Sequence, residues 1–126
     1  MELRSEITAL AEEIRGAQKI LIALGDEMRQ HLILVMMQSG DCSGMRVNDI
    51  ADKTRLSRPA VSHHLQILKD AGIVKMRREG TKNYYYFDAD MEAFDRLIGM
   101  LNHAKAIMLA LPDRSGDDET KERFIR

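Results

Sequence analysis

The sequence predicts a mainly α-helical chain with one small β-hairpin: five helices, the hairpin lying between the fourth and the fifth. Three observations predict it. Apolar residues recur at spacings of three and four over most of the chain. The pattern changes between Ile73 and Phe87, where β-branched and aromatic residues flank the turn Glu79-Gly80-Thr81-Lys82. A length of 126 residues, with 44% hydrophobic side chains, leaves room for one modest core.

The first helix carries Leu3, Ile7, Leu10, Ile14, Ala17, Leu21 and Leu24 on one stripe, opposite Glu6, Glu12, Glu13, Arg15 and Lys19. Asp26 is a good cap for a second helix bearing Leu32, Ile33, Val35 and Met36. Gly40, Asp41, Ser43 and Gly44 mark a loop. A short third helix buries Val47, Ile50 and Ala51. The fourth runs from about Ser57 to Asp70 and stops at Ala71-Gly72, where glycine takes the left-handed conformation easily. Strands are expected over Ile73 to Arg78 and Asn83 to Phe87. The last helix should start near Asp88 or Asp90, where acids suit the positive end of its dipole. Its stripe is Phe94, Leu97, Ile98, Leu101, Ala104 and Met108, and Pro112 ends it. Residues 1–111 then form one domain, and 112–126 a charged, mobile tail. The core must be built without Trp, and Met36, Met37, Met100 and Met108 are read as filler for it.

The net charge of −1 hides a strong asymmetry. Residues 46 to 87 hold nine Lys and Arg against four Asp and Glu, a net of +5, and each flank carries −3. A basic centre between acidic flanks is the footprint of a nucleic-acid face. A short helix, a tight turn and a better-capped helix make a helix-turn-helix, and the hairpin after it makes the arrangement winged. In the fourth helix Val61, Leu65 and Leu68 form the packing side. Arg58, Ser62 and Gln66 form an exposed row with His63 beside it, and all four can bond base edges. Ser57 caps the helix, and no acid occurs from Thr54 through Lys69. His64 is placed where the core meets phosphate, and His31 is read as structural. Lys75, Arg77, Arg78 and Lys82 make the hairpin basic, suited to phosphates or the minor groove. The site residues expected to touch DNA are therefore Ser57, Arg58, Ser62, His63, His64, Gln66, Arg77, Arg78 and Lys82.

The run from Leu56 to Val74 resembles the recognition helix and wing entry of the ArsR/SmtB family of bacterial transcriptional repressors. Arg77-Arg78-Glu79-Gly80 and Tyr84-Tyr85-Tyr86 are similar to that family's wing, and the resemblance extends over about residues 26 to 110. It implies a homodimer joined through the first and last helices, bound to double-stranded operator DNA and released by an inducer. Gly25-Asp26-Glu27-Met28-Arg29 departs from the family's usual Ala-Asp-Pro-Thr-Arg, and Arg46 stands where a small capping residue is common.

The resemblance also says where sensing sites would lie. One type uses a Cys-x-Cys pair, and the matching positions are Arg46 and Asn48, so those thiolates are absent. A second type uses positions matching Asp90, Glu92, His103 and Ala106. The first three could ligate and the fourth could not, whereas a closed site needs four ligands. No metal or other cofactor is expected, and the inducer is not identified. Cys42, the single cysteine, cannot form a disulfide within its own chain and is read as inert.

No apolar run approaches the length of a membrane span, and Met1-Glu2-Leu3-Arg4 has no signal-peptide pattern. A cytoplasmic location with no membrane partner is expected. No nucleophile–base pair, phosphate loop or metal cage stands out, so no enzyme is expected. The alternative to a DNA-binding regulator is a winged-helix module whose basic face docks an acidic protein. Salt-sensitive binding to such a partner, with no DNA affinity, would mark it.

Overall fold

The computed structural model describes residues 2–40, 43–88 and 91–112. Asp41, Cys42, Asp90 and the tail from Asp113 lie outside the described residues, and with them the expectations placed on the loop cysteine, on one metal-site position and on the tail.

Six helices and one hairpin are present: α1 (Leu3–Gly16), α2 (Gln18–Leu24), α3 (Glu27–Gln38), α4 (Val47–Thr54), α5 (Arg58–Asp70), β1 (Val74–Glu79), β2 (Lys82–Phe87) and α6 (Glu92–Ala110). The mainly helical class and the hairpin before the last helix are as expected. The first expected helix is two. Gly16, a poor helix former, ends α1, and Ala17 leaves helical geometry at φ −100° and ψ 6°. The break lets α2 bury Ile20 and Ala23, whereas no α1 side chain is fully buried.

The core gathers Ile20, Ala23, Leu32, Met36, Ile50, Val61, Leu65, Leu68, Val74 and Met100 from β1 and from every helix but α1. Side chains of this size each contribute roughly 1.5–3 kcal/mol on full burial. Met37 and Met108, expected inside, are 57% and 71% exposed. The α6 helix is rotated from expectation. It buries Met100 and Ile107 and leaves Ile98, Leu101 and Met108 outside. It also starts later than expected. The backbone N–H of Asp88 is held by the Ile73 carbonyl and its carboxylate by Lys75 at 3.1 Å, so it cannot join the first turn.

The strands pair antiparallel with Val74 opposite Phe87 and Arg77 opposite Tyr84, around a turn at Gly80 and Thr81. The hairpin does not stand alone. Met45, just before α4, exchanges two 2.8 Å backbone hydrogen bonds with Tyr85 and lies against β2 like a third strand. Gly44 beside it has φ +110°, and a Cβ there would sit 3.0 Å from the Tyr85 carbonyl oxygen. Only glycine fits that approach without displacement.

Candidate nucleic-acid interface

The turn between α4 and α5 sets the site. Thr54 folds its hydroxyl back onto the Ile50 carbonyl at 2.7 Å. Arg55 takes the left-handed conformation at φ 63°, and its N–H reaches the Ala51 carbonyl at 2.8 Å. Ser57 then caps α5, its hydroxyl accepting from the Ala60 N–H at 3.2 Å, and Pro59 sits in the first turn where a missing N–H costs nothing.

Val61, Leu65 and Leu68 are wholly buried, which fixes α5 about its own axis. The row Arg58, Ser62 and Gln66 is thereby exposed, and His63 with it. Among the described residues the side chains of Arg58 and Ser62 form no hydrogen bond or ion pair; Gln66 donates to Asp70 at 2.9 Å. The row therefore carries one cation, a hydroxyl, an amide and an imidazole, the mixture of donors and acceptors that base edges require.

His64 sits elsewhere. It is half-buried against the corner of α2 and α3, where Nη1 of Arg29 stands 3.4 Å from its Nδ1. Burial, most of all, holds its pKa below the ordinary histidine value; Arg29 and His63 add to that and Asp26 opposes it. The structure thus sets His64 apart from its neighbour His63.

In the hairpin, alternation divides the side chains. Val74, Met76, Tyr85 and Phe87 share the face toward the body, and Lys75, Arg77, Tyr84 and Tyr86 share the other. The Arg77 guanidinium lies 5.1 Å from the Tyr84 ring centre and 6.0 Å from that of Tyr86, and its Nε donates to Glu79 at 3.0 Å. Arg78 donates to the Gly80 carbonyl at 3.1 Å, which aims it across the turn, and Lys82 is exposed opposite Glu79. Lys75 is paired with Asp88 and Arg77 with Glu79, while Arg78 and Lys82 form no ion pair with a described residue. The tyrosine bed under Arg77 went unnoticed in the sequence, although alternate tyrosines across from an arginine are a readable signal.

Away from this face, His103 on α6 stands between Glu13, 2.7 Å from Nδ1, and Glu6 at Nε2, both on α1. Glu6 first and then Glu13 raise its pKa, because both ring nitrogens can donate only as imidazolium. The two carboxylates face opposite edges of the ring and do not converge on one point. Glu92 pairs with Arg96. Among the described residues no group of three or more His, Cys, Asp or Glu is arranged to hold a metal ion. Nor, among them, is any helix long and apolar enough to cross a membrane.

Residues 29–76 match the family described as bacterial regulatory protein, arsR family. An HTH-type transcriptional regulator of Methanocaldococcus jannaschii is 42% identical over 79 residues, 63% of this chain and 85% of that one. The transcriptional repressor SdpR of Bacillus subtilis is 40% identical over 63 residues, 50% of this chain and 66% of its own length. Among solved structures, a homodimeric winged helix-turn-helix DNA-binding domain from Mycobacterium bovis, described as part of a possible ArsR-family regulator, superposes with a TM-score of 0.51 at 25% identity. That likeness covers 83% of this chain and 87% of the other.

Proposed function

This chain belongs to the arsR family of bacterial regulatory proteins, and from that premise we propose that it is a transcriptional repressor gripping a palindromic operator as a cytoplasmic homodimer. It is not an enzyme. The observation that carries the proposal is the α5 row. Arg58, Ser62, His63 and Gln66 are held outward by Val61, Leu65 and Leu68, on a helix whose first turn is capped by Ser57. Arg58 is suited to a guanine, with Ser62, His63 and Gln66 beside it on neighbouring bases. Ser57, Arg77, Arg78 and Lys82 engage phosphates on either side and set the register without reading sequence. His64 supports the row from behind.

The second copy is called for by α6. Ile98, Leu101, Met108 and Leu109 are 53–79% exposed, and Ile7 and Ile14 of α1 are 46% and 39% exposed. Apolar surface of this kind on adjoining helices is what an isologous interface covers. Two copies present two recognition helices, and the operator carries matching half-sites about one helical turn apart. An inducer that shifts one protomer against the other would misplace those helices and release the DNA.

The test is an anisotropy titration of a labelled duplex spanning the promoter of the protein's own gene against a random duplex of equal length, at moderate salt. Tighter binding to the promoter duplex, roughly 10³-fold or more, is expected. Equal binding to both would sink the proposal, and binding to neither would favour a protein-docking role for the basic face.

A further inference from the structure

Arg29 is the one buried cation in the described structure, 7% exposed in a core otherwise apolar except for Thr54. A guanidinium carries five donors and no acceptor, so its surroundings must supply lone pairs. They do. Nε donates to the Ala23 carbonyl at 2.9 Å and Nη2 to the Ile22 carbonyl at 2.8 Å, two carbonyls in the last turn of α2. Nη1 faces Nδ1 of His64 at 3.4 Å and the Asp26 carboxylate at 3.9 Å. Asp26 in turn caps α3 through the Arg29 N–H at 3.0 Å. One side chain therefore joins the end of α2, the start of α3 and the middle of α5.

Because Arg29 can only donate, Nδ1 of His64 must be the acceptor, and the ring proton must sit on Nε2. No described residue bonds Nε2. No buried side-chain nitrogen or oxygen among the described residues lacks a partner, so Nε2 reaches solvent. The groups facing the ring are Arg29 and Asp26 from α3 and His63 from its own helix; α2 offers only carbonyls.

We propose that Arg29 is a positioning residue for DNA reading: its guanidinium fastens the His64 ring of α5 to the last carbonyls of α2 and so holds the recognition helix in its reading attitude. The proposal rests on the DNA-binding reading above. The packing of Val61, Leu65 and Leu68 fixes α5 against the core, but apolar contacts are not directional. A hydrogen-bonded arginine adds a directional tie between the middle of α5 and the end of α2. Since α2 also packs on α6, the link runs from the surface that meets a second copy to the helix that meets DNA. Protonation of His64 removes the acceptor and sets like charges together, so the fastening is made only by the neutral ring. Burial of the ring favours that form.

Two measurements test it. In the free protein, 15N spectra of the imidazole should show Nδ1 unprotonated and Nε2 protonated at neutral pH, and Arg29→Gln should raise the His64 titration midpoint toward its ordinary value. A proton on Nδ1, or an unmoved midpoint in a folded Arg29→Gln variant, overturns the fastening. On the promoter duplex, His64→Asn keeps an acceptor where Nδ1 stood and should lose at most about threefold in affinity. His64→Leu has similar bulk without the acceptor and should lose about tenfold, with its unfolding midpoint close to that of His64→Asn. Equal affinities of the two variants overturn the role in reading even should Arg29→Gln fail to fold. Expected spectra in a protein that binds no DNA would overturn the DNA reading instead and leave the fastening in place.

Discussion

The reading half of the molecule, α4 through β2, is enclosed within the protomer, with α2 and α3 packed on it, and the outer pair, α1 and α6, is not. In the first, Ile50, Val61, Leu65, Leu68 and Val74 are at most 1% exposed, and the side chains left outside are polar or basic. In the second, α1 has no buried residue and nineteen-residue α6 has two, while isoleucines and leucines of both face water. The same composition thus serves two ends. One half is finished by the core of the protomer and presents polar side chains outward. The other is left unfinished, and it is the surface that the proposed second copy would cover.

The largest expected effect contrasts a leucine from each half. Leu65→Ala should cost about 3 kcal/mol of unfolding free energy, since it empties a fully enclosed site on α5. Leu101→Ala should hardly change the unfolding of a dilute protomer. It should instead raise the concentration at which sedimentation shows dimers. Similar losses from both in denaturant titrations would break the comparison.

A smaller effect divides the reading half itself. Arg58→Ala or Ser62→Ala should cost roughly 1–3 kcal/mol on the operator and relax preference at one base position. Arg78→Ala should weaken all duplexes alike and reduce the slope of log affinity against log salt by about 1. Loss of specificity from all three in equal measure would erase that division.

The smallest effect is the dependence on pH, and it has opposite signs in the two halves. His103 has its folded pKa raised, first by Glu6 and then by Glu13, above an ordinary value of 6.5. Its contribution to holding α1 on α6 is complete below that value and is lost as pH rises through the folded pKa. His64 has its folded pKa lowered, first by burial, so its contribution is complete above 6.5 and is lost as pH falls through the folded pKa. Unfolding midpoints measured from about pH 5 to about pH 9 should flatten on the alkaline side in Glu6→Gln with Glu13→Gln, and on the acid side in His64→Asn.

Much of the reading half was legible because its signals are local. The cap at Ser57, the spacing of Val61, Leu65 and Leu68, and the turn at Gly80 lie within a few residues of what they control. The outer half was less so. The apolar spacing runs unbroken through Gly16 and Ala17, so periodicity alone could not show that the helix breaks there. In α6 two apolar lines compete, Phe94-Leu97-Met100-Ile107 and Ile98-Leu101-Met108, and only packing against α1 and α2 decides which turns inward. Arg29 and His64 lie 35 positions apart, as Glu13 and His103 lie 90 apart, and no local pattern announces either meeting. Asp88, one of the two acids expected near the start of the last helix, is held instead by Lys75 and Ile73 from across the hairpin, a pairing no local pattern announces.

The double backbone bridge between Met45 and Tyr85 makes the wing something other than a flap. It pins the hairpin to the chain entering α4, the helix that precedes the reading helix, with Gly44 leaving no slack. On the proposed function, hairpin and helix would act as the two jaws of a caliper with a fixed gap. Where the spacing between the grooves on a duplex differs from that gap, the strain would fall on the DNA, and the stiffness of base steps the protein never touches would enter its choice of sequence.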